Sequence, residues 1–289
     1  MRLGWIANLL LAIGVIGLAL YAFHKNKQPK EPSFKLSQVS SAVANKIVVE
    51  SRAGVAYSLE KRGEIWFLTT PTQARADQTQ VQRILDLLSA SSKEKLAPTQ
   101  LERFDLASPT LKVTINDQTF TFGTTNPLTQ EQYVGTADGV YLLSAYFGSL
   151  APNRADRMLT HRLLSENETP VGFTFKNFSV IQSDGKWTLT PQPSQESERP
   201  SQDDLNRFAD DWRFASSLAT QAWTGKPTPD TVQVKLADGK TVTIGIVQKE
   251  PELVLARPDE KLQFQFSAET GKRLLRPEPA KDKRGAGAS

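Results

Sequence analysis

YSLEKRGEIWFLTTP (residues 57–71) and FSVIQSDGKWTLTP (residues 178–191) are two versions of one pattern, and this pattern decides the fold. In each, an alternating strand leads into a glycine-containing turn, and a second strand carries a tryptophan before a Thr-Pro step. Proline cannot donate a hydrogen bond to a neighbouring strand, so the sheet is expected to end there. The two tryptophans, Trp66 and Trp187, are 121 positions apart.

The same spacing recurs at a pair of hairpins. LKVTINDQTFTFG begins at Leu111 and VQVKLADGKTVTIG begins at Val232, again 121 positions later, and Val113 matches Val234. Alternating apolar residues around a short polar turn are typical of an antiparallel hairpin with one buried face. A constant offset at two places indicates an internal duplication. We therefore predict an α+β fold with two tandem, similar β-rich modules, each with a packed helix.

A helix is predicted after each tryptophan strand. In the first module Asp77 can cap the helix, and the apolar residues recur at helical spacing: Val81, Ile84, Leu85 and Leu88. In the second module Ser201 and Asp204 fit a capping box, and the apolar face consists of Leu205, Phe208, Trp212 and Ala215. Residues 146–164 are also predicted to be helical, with a break at Pro152.

Residues 3–23 carry no charge and predict a transmembrane helix. As a helix they would extend roughly 31 Å, about the thickness of the hydrocarbon core of a bilayer, which makes the lipid bilayer a predicted partner. Trp5 and Tyr21 lie near the two ends, where aromatic rings favour the interface. A cleaved signal peptide and a buried core helix are the alternatives. The apolar run is longer than a signal-peptide core and apolar all round, so we favour an uncleaved anchor.

The predicted organisation has five parts. They are an anchor (1–26), a linker (27–33), a first β-rich α+β module (34–160), a second such module (161–276) and a disordered basic tail (277–289). The basic residues flanking the apolar run weakly favour a cytoplasmic body. A short stub before a long C-terminal domain suits a signal anchor instead. We therefore expect a single-pass protein of the bacterial inner membrane with its body in the periplasm.

Composition excludes several classes of protein. The chain of 289 residues has no cysteine, so thiol nucleophiles and cysteine-based metal sites are excluded. Its formal net charge is +4, but four basic residues lie before residue 31 and six lie after residue 271. The body between them holds 25 basic and 29 acidic residues. Because a nucleic-acid-binding protein carries basic charge on a folded face, we predict no nucleic-acid partner.

The order of these motifs resembles that of a known family. The N-terminal anchor, the KIVVES strand (Lys46–Ser51), the hairpin containing Trp66, the ADQTQVQRILDLLS helix and the FDLASP segment are similar to the bacterial domain-of-unknown-function family 4340. The resemblance covers most of residues 34–276 and implies a single-pass, envelope-facing protein. It also implies an association of some relatives with ABC-type export systems of the gliding-motility kind. It supplies no catalytic residue.

No set of residues in the sequence predicts a catalytic, cofactor or metal site. The two histidines are His24, beside the anchor, and His161, between the modules. A general base needs an orienting carboxylate and a nucleophile within reach, and His161 has acidic residues near it only in sequence. Adjacent aspartates at residues 203–204 and 210–211 lack the spacing of a calcium loop. We therefore predict no cofactor and no metal.

The tryptophans can be core residues or contacts for a partner. Equivalent positions in both copies favour Trp66 and Trp187 as core residues, with Leu111, Val113, Val232 and Val234 as the repeated core of the hairpins. Trp223 has no counterpart in the first copy and is the candidate partner contact.

These observations predict a non-enzymatic accessory or scaffold module that binds membrane or envelope proteins, in the setting of an ABC-type transport system. A periplasmic ligand-binding protein and a hydrolase with a site between the modules remain the alternatives. A deep cavity that gathers titratable residues would favour the hydrolase, and a roomy apolar cleft would favour the ligand-binding protein.

Overall fold

The computed structural model describes residues 3–25, 32–52 and 54–279. This part of the chain contains four α-helices: α1 (Leu3–Lys25), α2 (Gln78–Leu85), α3 (Gln202–Arg213) and α4 (Ala268–Leu275). Its named strands pair antiparallel. The predicted α+β class is therefore confirmed.

The strands form three sheets. A small sheet pairs β1 (Phe34–Lys35) with β6 (Ser91–Ser92). The strands of the nine-stranded sheet are β2 (Lys46–Ser51), β3 (Gly54–Arg62), β4 (Ile65–Thr70), β5 (Ala74–Arg75), β7 (Lys95–Leu96), β8 (Leu111–Ile115), β9 (Gln118–Thr125), β10 (Glu131–Thr136) and β11 (Gly139–Ser144). Those of the eight-stranded sheet are β12 (Pro170–Thr174), β13 (Ser179–Ser183), β14 (Lys186–Thr190), β15 (Ala219–Ala222), β16 (Asp230–Leu236), β17 (Thr241–Gln248), β18 (Leu253–Arg257) and β19 (Leu262–Phe266).

Seven strands follow the same order in the two large sheets. The order β4-β3-β2-β8-β9-β10-β11 in one sheet corresponds to β14-β13-β12-β16-β17-β18-β19 in the other. The tryptophan strands β4 and β14 occupy equivalent places, and each is followed by a helix that packs on its sheet. The sheets differ at their ends, where β5 and β7 flank the first and β15 is added to the second.

Local sequence explains the two packed helices. The Asp77 carboxylate accepts a hydrogen bond from the Gln80 amide at 3.0 Å, so it caps α2 as predicted. Ser201 and Asp204 form the predicted capping box at the start of α3. The predicted apolar faces of both helices are buried, and Phe173 of β12 lies 5.4 Å from the Trp212 ring.

The helix α1 carries apolar side chains that are exposed from Trp5 to Tyr21 wherever the structure describes them. No helix among the described residues is long and apolar enough to cross a membrane. The membrane anchor therefore stays a prediction. The predicted linker and tail fall largely on residues 26–31 and 280–289, which lie outside the described residues.

The prediction of a helix over residues 146–164 is wrong. This segment contains two short 3₁₀ turns, Phe147–Ser149 and Ala155–Met158, separated by Pro152. Its end runs extended along β5, because the Asp77 amide donates to the Met158 carbonyl at 2.8 Å. An α-helix would use those carbonyls internally and leave this edge of the sheet without a partner.

Candidate functional site

The residues that bring the two modules together converge on Arg75, at the end of β5. Its side chain is 5% exposed. The guanidinium donates to both carboxylate oxygens of Glu260, at 2.9 and 3.1 Å, which is a bidentate ion pair between the modules. It also donates to the backbone carbonyls of Arg162 and Leu163, at 2.7 and 3.2 Å. One side chain of the first module thus holds three groups of the second.

A second buried arginine, Arg257, contacts the same backbone as Arg75. Arg257, at the end of β18, is 1% exposed and donates to the same Leu163 carbonyl at 3.0 Å. Its guanidinium binds Glu168 at 2.7 and 3.0 Å and Asp259 at 2.6 and 3.2 Å. Bidentate pairs of this kind combine charge with fixed geometry. Arg75 and Arg257 and their three acidic partners, Glu168, Asp259 and Glu260, are called the junction network below.

Three members of the junction network, Arg257, Glu168 and Asp259, have pKa values that favour their charged forms. Burial works to lower the pKa of Arg257, but its hydrogen bonds to Asp259 and Glu168 outweigh burial and raise that pKa. Burial works to raise the pKa of Glu168 and of Asp259, and the hydrogen bonds from Arg257 outweigh it, so both pKa values are lowered. Because none of these three groups titrates near pH 7, they serve to fix structure and not to transfer protons.

A cavity of about 280 Å³ opens beside Arg75. Both modules contribute to its wall, which includes Asp77 and Thr79 from the first and His161, Arg162 and Glu166 from the second. It gathers titratable side chains, as the hydrolase alternative requires. Its volume is just below the range of about 300–1,000 Å³ that is typical of small-molecule sites.

His161 lines this cavity without the partners of a general base. Its Nδ1 atom lies 3.2 Å from the Ser217 carbonyl oxygen and 3.4 Å from the Ser217 hydroxyl. That hydroxyl is 2.8 Å from the hydroxyl of Thr220, and the Ser217 side chain is buried. Among the described residues no carboxylate forms a hydrogen bond or ion pair with His161. The arrangement lacks an orienting acid, and Ser217 does not face the cavity.

The two repeated tryptophans lie in the core. Trp66 and Trp187 are each 5% exposed, and Leu111, Val113, Val232 and Val234 are buried in the adjoining hairpins. The structure adds a feature that sequence reasoning missed. The first residue of each packed helix, Gln78 or Gln202, holds the backbone of its tryptophan by accepting from the amide and donating to the carbonyl. At β14, which is the edge strand of its sheet, the glutamine side chain thereby takes the place of a neighbouring strand, whereas β4 also pairs with β5.

Trp223 lies directly after β15 and is half-buried. Its backbone amide donates to the Lys261 carbonyl at 2.8 Å. Its indole N–H is shielded from solvent and has no acceptor among the described residues. The ring is therefore less accessible than a loop position suggests, and the exposed side chains lie earlier in the segment.

The outer edge of β15 is open. Ala219 and Gln221 face Gln265 and Gln263 of β19, and the Trp223 amide bond to β19 sets the alternation. In an antiparallel pair the residues between hydrogen-bonded pairs point their backbone groups away from the partner strand. Thr220 and Ala222 therefore direct their N–H and C=O groups away from β19, and of these two residues Ala222 is exposed and Thr220 is buried.

Exposed apolar side chains lie beside this open edge. Phe214 is 54% exposed and Leu218 is 64% exposed. The guanidinium groups of Arg162 and Arg213 lie 5.7 and 5.3 Å from the centre of the Phe214 ring. We call residues 214–223 the edge surface.

A larger groove of about 900 Å³ lies at the opposite end of the second module. Phe178 and Leu189 lie in its wall with Glu198 and Arg276, and prolines form much of the rest. It includes the residue 192–200 loop, which has no counterpart of equal length in the first module. Across the described residues no group of three or more acidic or histidine side chains could hold a metal ion.

Comparison with known proteins gives one match. A family model described as "Domain of unknown function (DUF4340)" matches residues 66–242, which is more than half of the chain. The resemblance identified from the sequence is thereby confirmed. No curated protein and no solved structure matches the chain.

Proposed function

Because this chain belongs to the DUF4340 family, for which no function is assigned, we propose from its own surfaces that it is a non-enzymatic accessory module that binds partner proteins in the bacterial envelope. The proposed module is held at the inner membrane by residues 3–23, and its body faces the periplasm. The proposed setting is a membrane complex such as an ABC-type transport system, as the family resemblance implies. The duplicated body serves as a rigid scaffold in this proposal.

The anchor is supported by the uncharged run and by the surroundings of α1. An apolar helix whose side chains are exposed all round needs an apolar environment. Trp5 and Tyr21 are 76% and 66% exposed, so they are free to sit at the two interfaces of a bilayer. A phosphatase fused after Ser289 tests the orientation. We expect phosphatase activity, and activity of a cytoplasmic reporter alone would contradict a periplasmic body.

The open edge of β15 is the observation that carries the binding function. Exposed strand edges pair readily with other chains, and proteins normally close them. This protein closes the edge of β14 with Gln202 and that of β5 with the backbone of residues 158–160. It leaves the outward groups of the exposed residue Ala222 open on the same strand edge, near Leu218. The fitting partner is an extended protein segment that adds to β15, with an apolar side chain placed on Leu218.

The contact between Ser217 and His161 is the observation that favours a hydrolase. It is outweighed by the lack of an orienting carboxylate among the described residues and by the burial of Ser217 away from the cavity. The alternative of a ligand-binding protein rests on the cavity itself and is compatible with partner binding.

Site-specific photo-crosslinking in intact cells tests the proposed edge. A crosslinking residue at Gln221 reports on β15, and one at Thr188 reports on the equivalent exposed position of the closed strand β14. We expect a discrete adduct with an envelope protein from Gln221 and none from Thr188.

The Ala222→Pro variant supplies the specificity control. It removes one outward N–H group and leaves the hydrogen bonds to β19 in place. We expect the Gln221 adduct to be lost while the unfolding temperature of the protein is retained. An equal adduct from Thr188, or an adduct that persists in Ala222→Pro, would show that β15 is not the binding edge.

A further inference from the structure

The side chain of Arg162 lies in the wall of the cavity beside Arg75, called the junction cavity below, and forms no ion pair with any described residue. Its Nε atom is shielded from solvent and has no hydrogen-bond acceptor within the described residues. Its only described interaction is with the Phe214 ring, 5.7 Å away. The rest of the side chain is half-buried, so the guanidinium is the part of Arg162 that is available to an acceptor in the cavity.

The start of α2 lies in the same wall. Gln78 and Thr79 are its first two residues and line the cavity, and their backbone amides have no acceptor among the described residues. Free amides at a helix N-terminus, together with the helix dipole, favour an anion. Two sources of positive potential therefore line one cavity. One is the guanidinium of Arg162 in the second module, and the other is the N-terminus of α2 in the first.

Three carboxylates also line the cavity, and they limit what can bind. Asp77 already accepts from the Gln80 amide as the cap of α2. Glu64 pairs with Lys61 at 3.1 Å, and its side chain is 88% exposed. Glu166 is exposed at the rim. Two of the three negative charges thus have partners of their own, whereas the Arg162 guanidinium has no charged partner in the described part of the chain.

We propose that the junction cavity binds a small molecule through an oxyanion group, carboxylate or phosphate, held by the Arg162 guanidinium. The cavity volume of about 280 Å³ corresponds to roughly nine water molecules, which restricts the ligand to a small metabolite or inorganic anion. Because both modules form the wall, the bound anion stabilises their junction by mass action. This proposal goes beyond partner binding and does not depend on it.

Thermal unfolding of the purified full chain measures this binding. Inorganic phosphate and acetate are the probes, each titrated at constant ionic strength against chloride. The test variant is Arg162→Gln, which keeps the Arg162 carbonyl that Arg75 contacts. The matched control is Arg213→Gln, because Arg213 lies 5.3 Å from the same Phe214 ring and does not line the cavity.

We expect a saturable rise in unfolding temperature with at least one probe, and the responding probe identifies the ligand as a phosphate or a carboxylate. Loss of a charge-assisted hydrogen bond is expected to weaken the apparent affinity about tenfold in Arg162→Gln, with less than a twofold change in Arg213→Gln. Unfolding without probe verifies that both variants are folded, and Arg162→Met, which also removes the charge, replaces Arg162→Gln should that variant fail. Equal affinity in wild type and the Arg162 variant, or no saturable response to either probe, overturns the proposal.

Discussion

Replacing Arg75 by leucine removes the side chain that ties the first module to the second. The variant leaves the Glu260 carboxylate, whose side chain is 14% exposed, without its bidentate partner. It also leaves the Arg162 carbonyl without its donor at 2.7 Å. The Leu163 carbonyl keeps its bond from Arg257 at 3.0 Å.

The loss of unfolding free energy in Arg75→Leu depends on which contacts of Glu260 remain. Removing one partner of a buried ion pair costs about 3–5 kcal/mol, because the other charge stays buried. Arg257 still lies 3.5 Å from Glu260 and compensates in part. We therefore expect the free energy of unfolding to fall by about 3 kcal/mol, a large share of the about 5–15 kcal/mol typical of a domain.

Urea unfolding of the purified full chain, followed by tryptophan fluorescence, measures this loss. Trp66 lies in the first module, and Trp187, Trp212 and Trp223 lie in the second. We therefore expect weaker coupling at the junction to appear as two transitions, and tight coupling in the wild type to give one. The matched control is Arg83→Leu, an exposed arginine on α2 for which we expect less than about 1 kcal/mol.

A double-mutant cycle with Glu260→Leu separates the ion pair from lost packing. We expect the double variant to be less destabilised than the sum of the single variants, by about 0.5–3 kcal/mol. If Arg75→Leu costs less than about 1 kcal/mol, or if the two changes are additive, the ion pair does not hold the modules together.

Three further outcomes follow from the structure. The lowered pKa of Glu168 means that the folded protein binds fewer protons than the unfolded chain, so stability is full above the ordinary carboxyl pKa of about 4 and is lost as pH falls through the lowered value. Urea titrations from pH 6 to pH 3 should show a shallower loss in Glu168→Gln, and an equal slope would count against this role. Gln202→Ala should cost about 1–2 kcal/mol and promote association in light scattering, because it opens the edge of β14. Gln78→Ala should cause less association, because the Trp66 carbonyl keeps the Ala76 amide at 3.0 Å; equal association of the two variants would refute this difference. His161→Ala should leave the cellular phenotype unchanged, and loss of the phenotype in a normally folded variant would revive the hydrolase alternative.

Local patterns in the sequence predicted most of the strands and both packed helices. Alternation and turn residues depend on neighbours in the chain, so the strand Lys46–Ser51 and the hairpin from Leu111 could be identified without tertiary information. The Asp77 cap is local for the same reason. The helix predicted over residues 146–164 was wrong because the end of this segment is held extended by β5, which is far away in sequence.

The junction could not be predicted, because its contacts join distant residues. Arg75 and Glu260 are separated by 185 positions, and their pairing depends on how the modules pack. One signal was present in the sequence. Leu253 and Leu255 are buried at alternate positions of β18, so the alternation also turns Arg257 inward, where a cation needs partners. The strand β15 and the helix α4 carried no comparable signal.

The glutamine at the start of each packed helix bears on how a module can be duplicated within one chain. Its amide group copies the hydrogen-bonding surface of a peptide unit, so at β14 the tryptophan meets a side chain where another strand would otherwise add. Two modules with such a closed edge can follow one another in one chain without their strands pairing into a single continuous sheet. Each copy keeps a sheet of its own, and the boundary between the two sheets is where the contacts of Arg75 form.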